Sequence, residues 1–450
     1  MANHCSAAHW AQALVQRCQY WLKQQQGPLT LGYSGGLDST VLLAALLQAG
    51  AKGRLTAVHV HHGLQPLADT WLEYCELNAC QLGVRFQAAK LALPGAQNIE
   101  HRARRARRAA LLQHTPASGA LLLAHHQNDQ AETLLLQLLR GAGPQGLSAM
   151  AECSQYEGYT IVRPLLAFSR AQLEAVARYW QLDWVEDPTN QEIEADRNFL
   201  RQRIVPTFAE RWPQVVPTLA RNAELQNEAA ALQEEVAQQD YLALVQPDGG
   251  VCLKGFARLS LPRQRNLLYR WVLARGWLPP SKAVFARVWQ ELLPARADAQ
   301  PRVAWPEGSW CRFGQRLYLL SATELAATTK VATVALKPGV RHAWGVGVLS
   351  VTEGVSKGHA AALPRQWQSI TLAPMPKGAK ITFHGMAREV REQWRNQGLP
   401  VWRRQQAPAW FYQQQLVGAY GVGVSDGIRP AEGEPAWLLH WHWPALAQSW

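Results

Sequence analysis

Over the first 200 residues the chain alternates between two hydrophobic patterns. Short apolar runs of strand length, Leu29–Tyr33 (LTLGY), Leu55–Val60 (LTAVHV) and Ala120–Ala124 (ALLLA), are separated by longer stretches with helical spacing, among them Thr40–Leu47 and Ile99–His114. Strands alternating with helices predict a parallel, doubly wound α/β sheet whose ligands sit at the carboxyl ends of the strands. From about residue 219 the pattern turns helical: a long polar stretch, RNAELQNEAAALQEEVAQQDYLALV, precedes the basic amphipathic PRQRNLLYRWVLARG. From about residue 323 short β-rich pieces (KVATVAL, GVGVLSV, QSITLAP) gather around glycines, with one helical piece at 386–397. Three domains follow: 1–218, an α/β domain; 219–322, helical; and 323–450, a small α+β domain.

Composition sharpens this picture at three points. Lys and Arg exceed Asp and Glu by 45 to 33, a formal charge of +12 that favours polyanionic partners, nucleic acid first. The seven cysteines form no CxxC pair, which removes a zinc ribbon and a redox dithiol and suits a reducing compartment. Residues 1–26 mix apolar and polar positions at helical spacing, and no run is long enough to span a bilayer. A cytoplasmic protein without a membrane partner is expected.

The candidate chemistry begins at LTLGYSGGLDST, residues 29–40. A strand running through a glycine turn into a helix leaves the first N–H groups of the helix unpaired, and with the helix dipole they form an anion site. The common GxxxxGK[ST] loop carries a lysine for the phosphates; here Asp38 stands near that place. A carboxylate beside polyphosphate requires an intervening cation, so the loop reads as a Mg²⁺·ATP site, with Ser34, Gly35, Gly36, Leu37, Asp38, Ser39 and Thr40 around the nucleotide.

Three further stretches join it. In AHHQNDQAET, His125, Asp129 and Glu132 fall at i, i+4 and i+7, on one helical face at a strand end. Such a face could complete a Mg²⁺ site, accept a proton or hold an ammonium group. In NIEHRARRARRAALL, Arg104, Arg107 and Arg108 share a face suited to phosphate. In EDPTNQEIEADRNFLR, an Asp-Pro turn precedes Arg197, Asn198 and Arg201.

SGGLDS resembles the SGGxDS loop of the ATP pyrophosphatases, the PP-loop enzymes. SGGLDST, HVHHGL, NIEHRARRARRAAL, AHHQNDQAET, RGAGPQGLSAM, RPLL, DPTN and RNFLR occur in the order found in the tRNA(Ile)-lysidine synthetases, and REVREQWRNQGLPVWRRQQAPAWFY is similar to that family's last domain. The middle segment resembles the family only in length and helical character. Three departures stand out: Asn128 precedes Asp129 where the family often has two aspartates, several lysines typical of the last domain's helix are absent, with Arg388, Arg391 and Arg395 nearby, and Arg108 stands where the family often has an aromatic.

The resemblance implies a carbon–nitrogen ligase that uses ATP to activate the C2 oxygen of the wobble cytidine in an isoleucine tRNA with a CAU anticodon. Free L-lysine then attacks C2, giving lysidine, AMP and pyrophosphate and changing codon recognition from AUG to AUA. On this reading Asp38 and Asp129 share Mg²⁺, Arg107 and Arg197 offset charge on the α-phosphate, and His62 joins the nucleotide site. Glu132, or another nearby carboxylate, holds lysine, and His125 acts as base or orients Asp129. Arg201, Arg263, Arg265, Arg388, Arg391, Arg403 and Arg404, with Arg270, are the tRNA candidates, and Trp402 and Trp410 the candidates for base stacking. Homodimerisation stays open. The rival readings are a tRNA thiolase of the same superfamily, a small-molecule synthetase and an RNA-binding scaffold.

Overall fold

The computed structural model describes residues 2–61, 63, 68–91, 99–186, 196–296, 299–328, 330–356, 361–383 and 385–443. The chain divides into two compact units, Met1–Leu232 and Gln233–Trp450.

The first unit runs α1 (Ala2–Gln24), β1 (Leu29–Gly32), α2 (Leu37–Gln48), β2 (Leu55–His61), α3 (Ala68–Gln81), β3 (Arg85–Lys90), α4 (Ile99–Gln113), β4 (Ala120–Leu122) and α5 (Gln127–Leu139). There follow α6 (Pro144–Leu147), β5 (Cys153–Tyr156), β6 (Tyr159–Val162), α7 (Arg170–Tyr179), α8 (Asp196–Phe199), a π-helical segment (Leu200–Ile204), α9 (Val205–Arg211) and α10 (Val215–Leu244), which continues past Leu232. The strands form one sheet in the order β3-β2-β1-β4-β6-β5, parallel except for β5. Helices cover both faces. Leu14 and Cys18 of α1, Leu42, Leu43 and Leu46 of α2, and Leu173 and Val176 of α7 pack with Leu29 and Leu31 of β1 on one side. Leu111 and Leu112 of α4 pack with Val58, Leu121 and Ile161 on the other. Each buried leucine stabilises the sandwich by about 2 kcal/mol, which explains why these strands are apolar on both faces.

β1 pairs β2 on one side and β4 on the other, Leu29 facing both Leu55 and Ala120. The strand order therefore reverses between β1 and β4, and a crevice opens beyond their carboxyl ends. The segments leaving these two strands are SGG and AHHQND. The doubly wound expectation holds, with the antiparallel β5–β6 hairpin added at one edge.

In the second unit the segment expected to be helical contains helices at Leu261–Ala274 and Lys282–Arg287, and also an antiparallel sheet. That sheet is made of β7 (Val251–Cys252), β8 (Arg302–Ala304), β9 (Ser309–Phe313) and β10 (Arg316–Leu320), in the order β7-β10-β9-β8. Beyond Ser321, antiparallel sheets of five, four and two strands carry two short helices, Val390–Asn396 and Val401–Gln406. The helix expected over 386–397 is shorter, because Met386–Glu389 pairs as a strand with Lys380–Phe383. The Ala/Thr-rich stretch 321–334, whose composition suits a linker, contains a capped turn at Ala322–Leu325 and a strand at Ala332–Ala335. Trp402 packs beside Cys311, Tyr318 and Leu320, while Gln406 Nε2 donates to the carbonyls of Glu324 and Ala326, both at 2.8 Å. These contacts join the two segments within one unit.

Candidate active site

The loop after β1 is held by its own polar atoms. Gly35 has φ +78°, a left-handed conformation in which a side chain is strained, and a Cβ there would lie 2.8 Å from Cys75 Sγ and 3.3 Å from the Tyr74 ring. Ser39 Oγ donates to Gly36 O at 3.0 Å and lies 3.1 Å from Ser34 Oγ; Thr40 Oγ1 donates to Gly35 O at 3.3 Å. Gly36 caps α2 without any side-chain hydrogen bond. The first N–H groups of a twelve-residue helix are left for a ligand.

Across the crevice, α5 begins at Gln127 with His126 as its cap residue, and Asp129 Oδ2 accepts the His126 backbone N–H at 2.9 Å. His126 Nε2 lies 3.7 Å from Asp38 Oδ2 and 3.6 Å from Asp129 Oδ2, so one imidazole stands between the two carboxylates. Asp38 Oδ2 also accepts from Arg170 Nη1, while Asp38 Oδ1 is buried with no hydrogen-bond partner. Burial pushes the Asp38 carboxyl up, against the pull of His126 and Arg170. Burial also opposes ionisation of Asp129, but His126, His125 and Arg197 outweigh it and hold that carboxyl at about 2. His125 is held neutral, down to about 3, chiefly by burial, with Arg163, Arg197 and Arg107 adding to the effect against Asp129.

Glu132 is 1% exposed and carries the densest polar contacts. Arg197 Nε donates to Oε2 at 2.8 Å, and Arg201 donates from Nε to Oε1 at 2.7 Å and from Nη2 to Oε2 at 2.9 Å. Arg201 Nη2 also donates to Asp129 Oδ1 at 3.1 Å. α8 and the π-helical turn thus place two guanidiniums, four residues apart, over two carboxylates three residues apart on α5.

These groups line one cavity of about 1090 Å³ with Ser34, Gly36, Leu37, Ser39, Arg107 and His125. Among its described lining residues are four carboxylates, Asp38, Asp129, Glu132 and Glu186, and seven arginines, 107, 108, 140, 163, 170, 197 and 201; none is lysine. Thr40 is buried in α2 and supports the loop. His62 lies outside the described residues, as does the side chain of Arg104.

Arg201, expected on the tRNA, is part of the carboxylate network. The remaining tRNA candidates lie in the second unit. Arg263 is exposed and paired with the buried Asp240; Arg265 is exposed over the Trp289 ring at 5.8 Å. Arg388 and Arg391 are half-buried, Arg391 Nη2 donating to Met375 O at 2.7 Å. Arg404 is half-buried and Arg403 is buried, its guanidinium 4.4 Å from the Trp443 ring. Arg270 is also buried, bridging to Glu234 at 3.1 Å. Trp402 and Trp410 belong to the core at 7% and 2% exposure, so neither offers a face to a nucleotide base. Sequence reasoning missed His126 and Arg170. The His-His doublet hid which ring faces the carboxylates, and Arg170 stands 132 residues from Asp38 with no motif around it.

Residues 7–208 match the model of the PP-loop domain, an ATP-binding domain; residues 252–318 match the TilS substrate binding domain and residues 370–443 the TilS substrate C-terminal domain. The chain is 37% identical over 423 residues to the tRNA(Ile)-lysidine synthase of Pectobacterium atrosepticum, covering 92% of this chain and 94% of that one. It is 36% identical over 430 residues to the protein of that name from Yersinia pseudotuberculosis, covering 92% and 94%. Over 300 residues it is 44% identical to that from Alkalilimnicola ehrlichii, covering 65% of this chain and 66% of the relative.

Proposed function

The chain belongs to the tRNA(Ile)-lysidine synthase family, ligases that act on tRNA, and we propose that it activates the wobble cytidine of a CAU-anticodon isoleucine tRNA with ATP and joins free L-lysine to it. One observation carries this reading: the unpaired N-terminus of α2 and the pair Asp38 and Asp129 face a single cavity at the strand-order reversal, where phosphate, metal and acceptor can meet.

The N–H groups opening α2 hold the pyrophosphate portion of ATP. Mg²⁺ fits the donors present, since Asp38 Oδ1 is buried without a partner and Asp129 stays ionised; bound there, it supplies charge neutralisation between carboxylate and phosphate. Arg107 and Arg197 face the same space and offset charge on the α-phosphate. The C2 oxygen of the cytidine attacks the α-phosphorus and pyrophosphate leaves. The lysine ε-amine, having lost its ammonium proton, then attacks C2, and AMP departs with that oxygen.

The geometry redistributes two roles. Both oxygens of Glu132 are engaged by Arg197 and Arg201, so we assign Glu132 to holding those guanidiniums, and Glu186, which lines the same cavity, to an ammonium group of lysine. A histidine that gains a proton only near pH 3 is a weak base, which argues against His125 as the base, and we assign the orienting of Asp129 to His126, whose backbone N–H donates to Asp129 Oδ2 at 2.9 Å and whose Nε2 lies 3.6 Å from it. The three-domain division at 218/219 and 322/323 remains our proposal for how catalysis and tRNA selection are shared, with selection assigned to the second unit through exposed Arg263 and Arg265.

The test is incorporation of radiolabelled lysine into a CAU-anticodon isoleucine tRNA transcript with ATP and Mg²⁺. Incorporation should require the wobble cytidine and fall at least about 100-fold in Asp38→Asn. A folded protein that binds the tRNA but incorporates no lysine overturns the proposal.

A further inference from the structure

Arg170 is the first residue of α7, and the side chain of the preceding Ser169 caps that helix by accepting from Gln172 N. The backbone N–H of Arg170 donates to Asn128 Oδ1 at 3.0 Å, which ties the start of α7 to the start of α5. From there its guanidinium crosses to Asp38 Oδ2, setting a fixed positive charge against a carboxylate that lines the cavity and whose Oδ1 has no partner. The Arg170 side chain is 44% exposed and that of Asp38 23%. The arginine therefore has room to leave, whereas Asp38 is held in α2. An arginine keeps its charge at any working pH, and its planar fork suits phosphate as well as carboxylate.

We infer that Arg170 is the resting counter-ion of Asp38, held in place by Asn128, and that it exchanges this carboxylate for a phosphate oxygen of the nucleotide when metal and nucleotide enter. The inference rests on the Mg²⁺·ATP reading above and adds a positioning role for two residues outside that assignment. Without a cation, Asp38 would meet the incoming triphosphate as like charge against like charge. With Arg170 on it, the empty site is balanced, and on binding the same guanidinium transfers to the group that has just brought negative charge. The arrangement also gives Asn128 a purpose. Its carbonyl oxygen is needed as an acceptor for the α7 N–H, a role that an aspartate fills equally and an alanine does not.

Two binding measurements separate this from a purely structural link. Mn²⁺ alone, followed by electron paramagnetic resonance, reports access of a cation to Asp38. The analogue α,β-methylene-ATP, without metal, reports the phosphate contact. Arg170→Gln should bind Mn²⁺ about tenfold more tightly than the native chain and the analogue about tenfold more weakly. Arg170→Lys should return both values toward native, Asn128→Ala should shift both in the direction of Arg170→Gln by a smaller factor, and Asn128→Asp should leave both near native. A folded Arg170→Gln chain whose Mn²⁺ affinity is unchanged or weaker, or whose affinity for the analogue is unchanged, overturns the inference alone. A native chain that binds neither probe overturns the nucleotide reading and this inference with it.

Discussion

Glu132 shows how a side chain is committed by its neighbours. Its carboxylate is buried and receives three hydrogen bonds from Arg197 and Arg201, so Glu132→Gln would leave two guanidiniums with only Asp129 to balance them. Breaking one partner of such a network costs about 3 kcal/mol. Urea unfolding of the variant should show a loss of that size, and a change within about 0.5 kcal/mol would remove Glu132 from the role of anchor. His125 makes a prediction in pH. Its folded pKa of about 3 lies below the ordinary 6.5, so the stability gained by keeping the ring neutral is complete above pH 6.5 and is lost as pH falls toward 3. Melting temperature measured from pH 7 to pH 5 should fall more steeply for the native chain than for His125→Asn, the difference corresponding to at most about 1.4 kcal/mol per pH unit. Parallel slopes would mean the ring is charged in the fold. The residue types at this site were legible because Asp38, Asp129 and Arg197 sit in compact motifs. Their pairings were not, since Glu132 meets Arg201 across 69 residues of sequence.

At the scale of elements, the loop before α2 depends on one backbone conformation. Gly35→Ala would force a side chain into the left-handed region, at about 1–2 kcal/mol, and against Cys75 and Tyr74, so the loop must shift. Nucleotide affinity should fall by more than tenfold while the melting temperature moves only a few degrees. Equal losses of binding and stability would mean that the turn serves folding alone. Strand–turn–helix order was readable here because apolar density changes sharply at the two glycines. Elsewhere short strands escaped notice. The β5–β6 hairpin turns at Glu157 and Gly158, both at positive φ, but its first strand, CSQY, is largely polar and lacks the alternation that marks a strand. The β9–β10 hairpin turns at Gly314 and Gln315, and its buried run RLYLL reads equally as a helix turn in a segment already dominated by helical spacing.

Across the whole molecule, the alternation of strands and helices forecast the doubly wound sheet and a site at the carboxyl ends of its strands, while long-range packing decided what composition could not. Two of the twenty tryptophans, Trp402 and Trp410, and a formal charge of +12 suggested stacking and cationic surfaces for RNA. Packing placed Trp402 and Trp410 in the core and turned Arg403 inward onto Trp443, because a large ring contributes more to stability buried than exposed. The cavity adds a last consequence. Its seven described cations are all guanidiniums, groups that hold phosphate but keep their protons and so make no nucleophile. A cytidine activated at C2 is an electrophile that any neutral amine would capture. On the proposed chemistry, a wall lined this way holds phosphate without offering the electrophile a lysine amine of its own, since none of the described residues around the cavity is lysine.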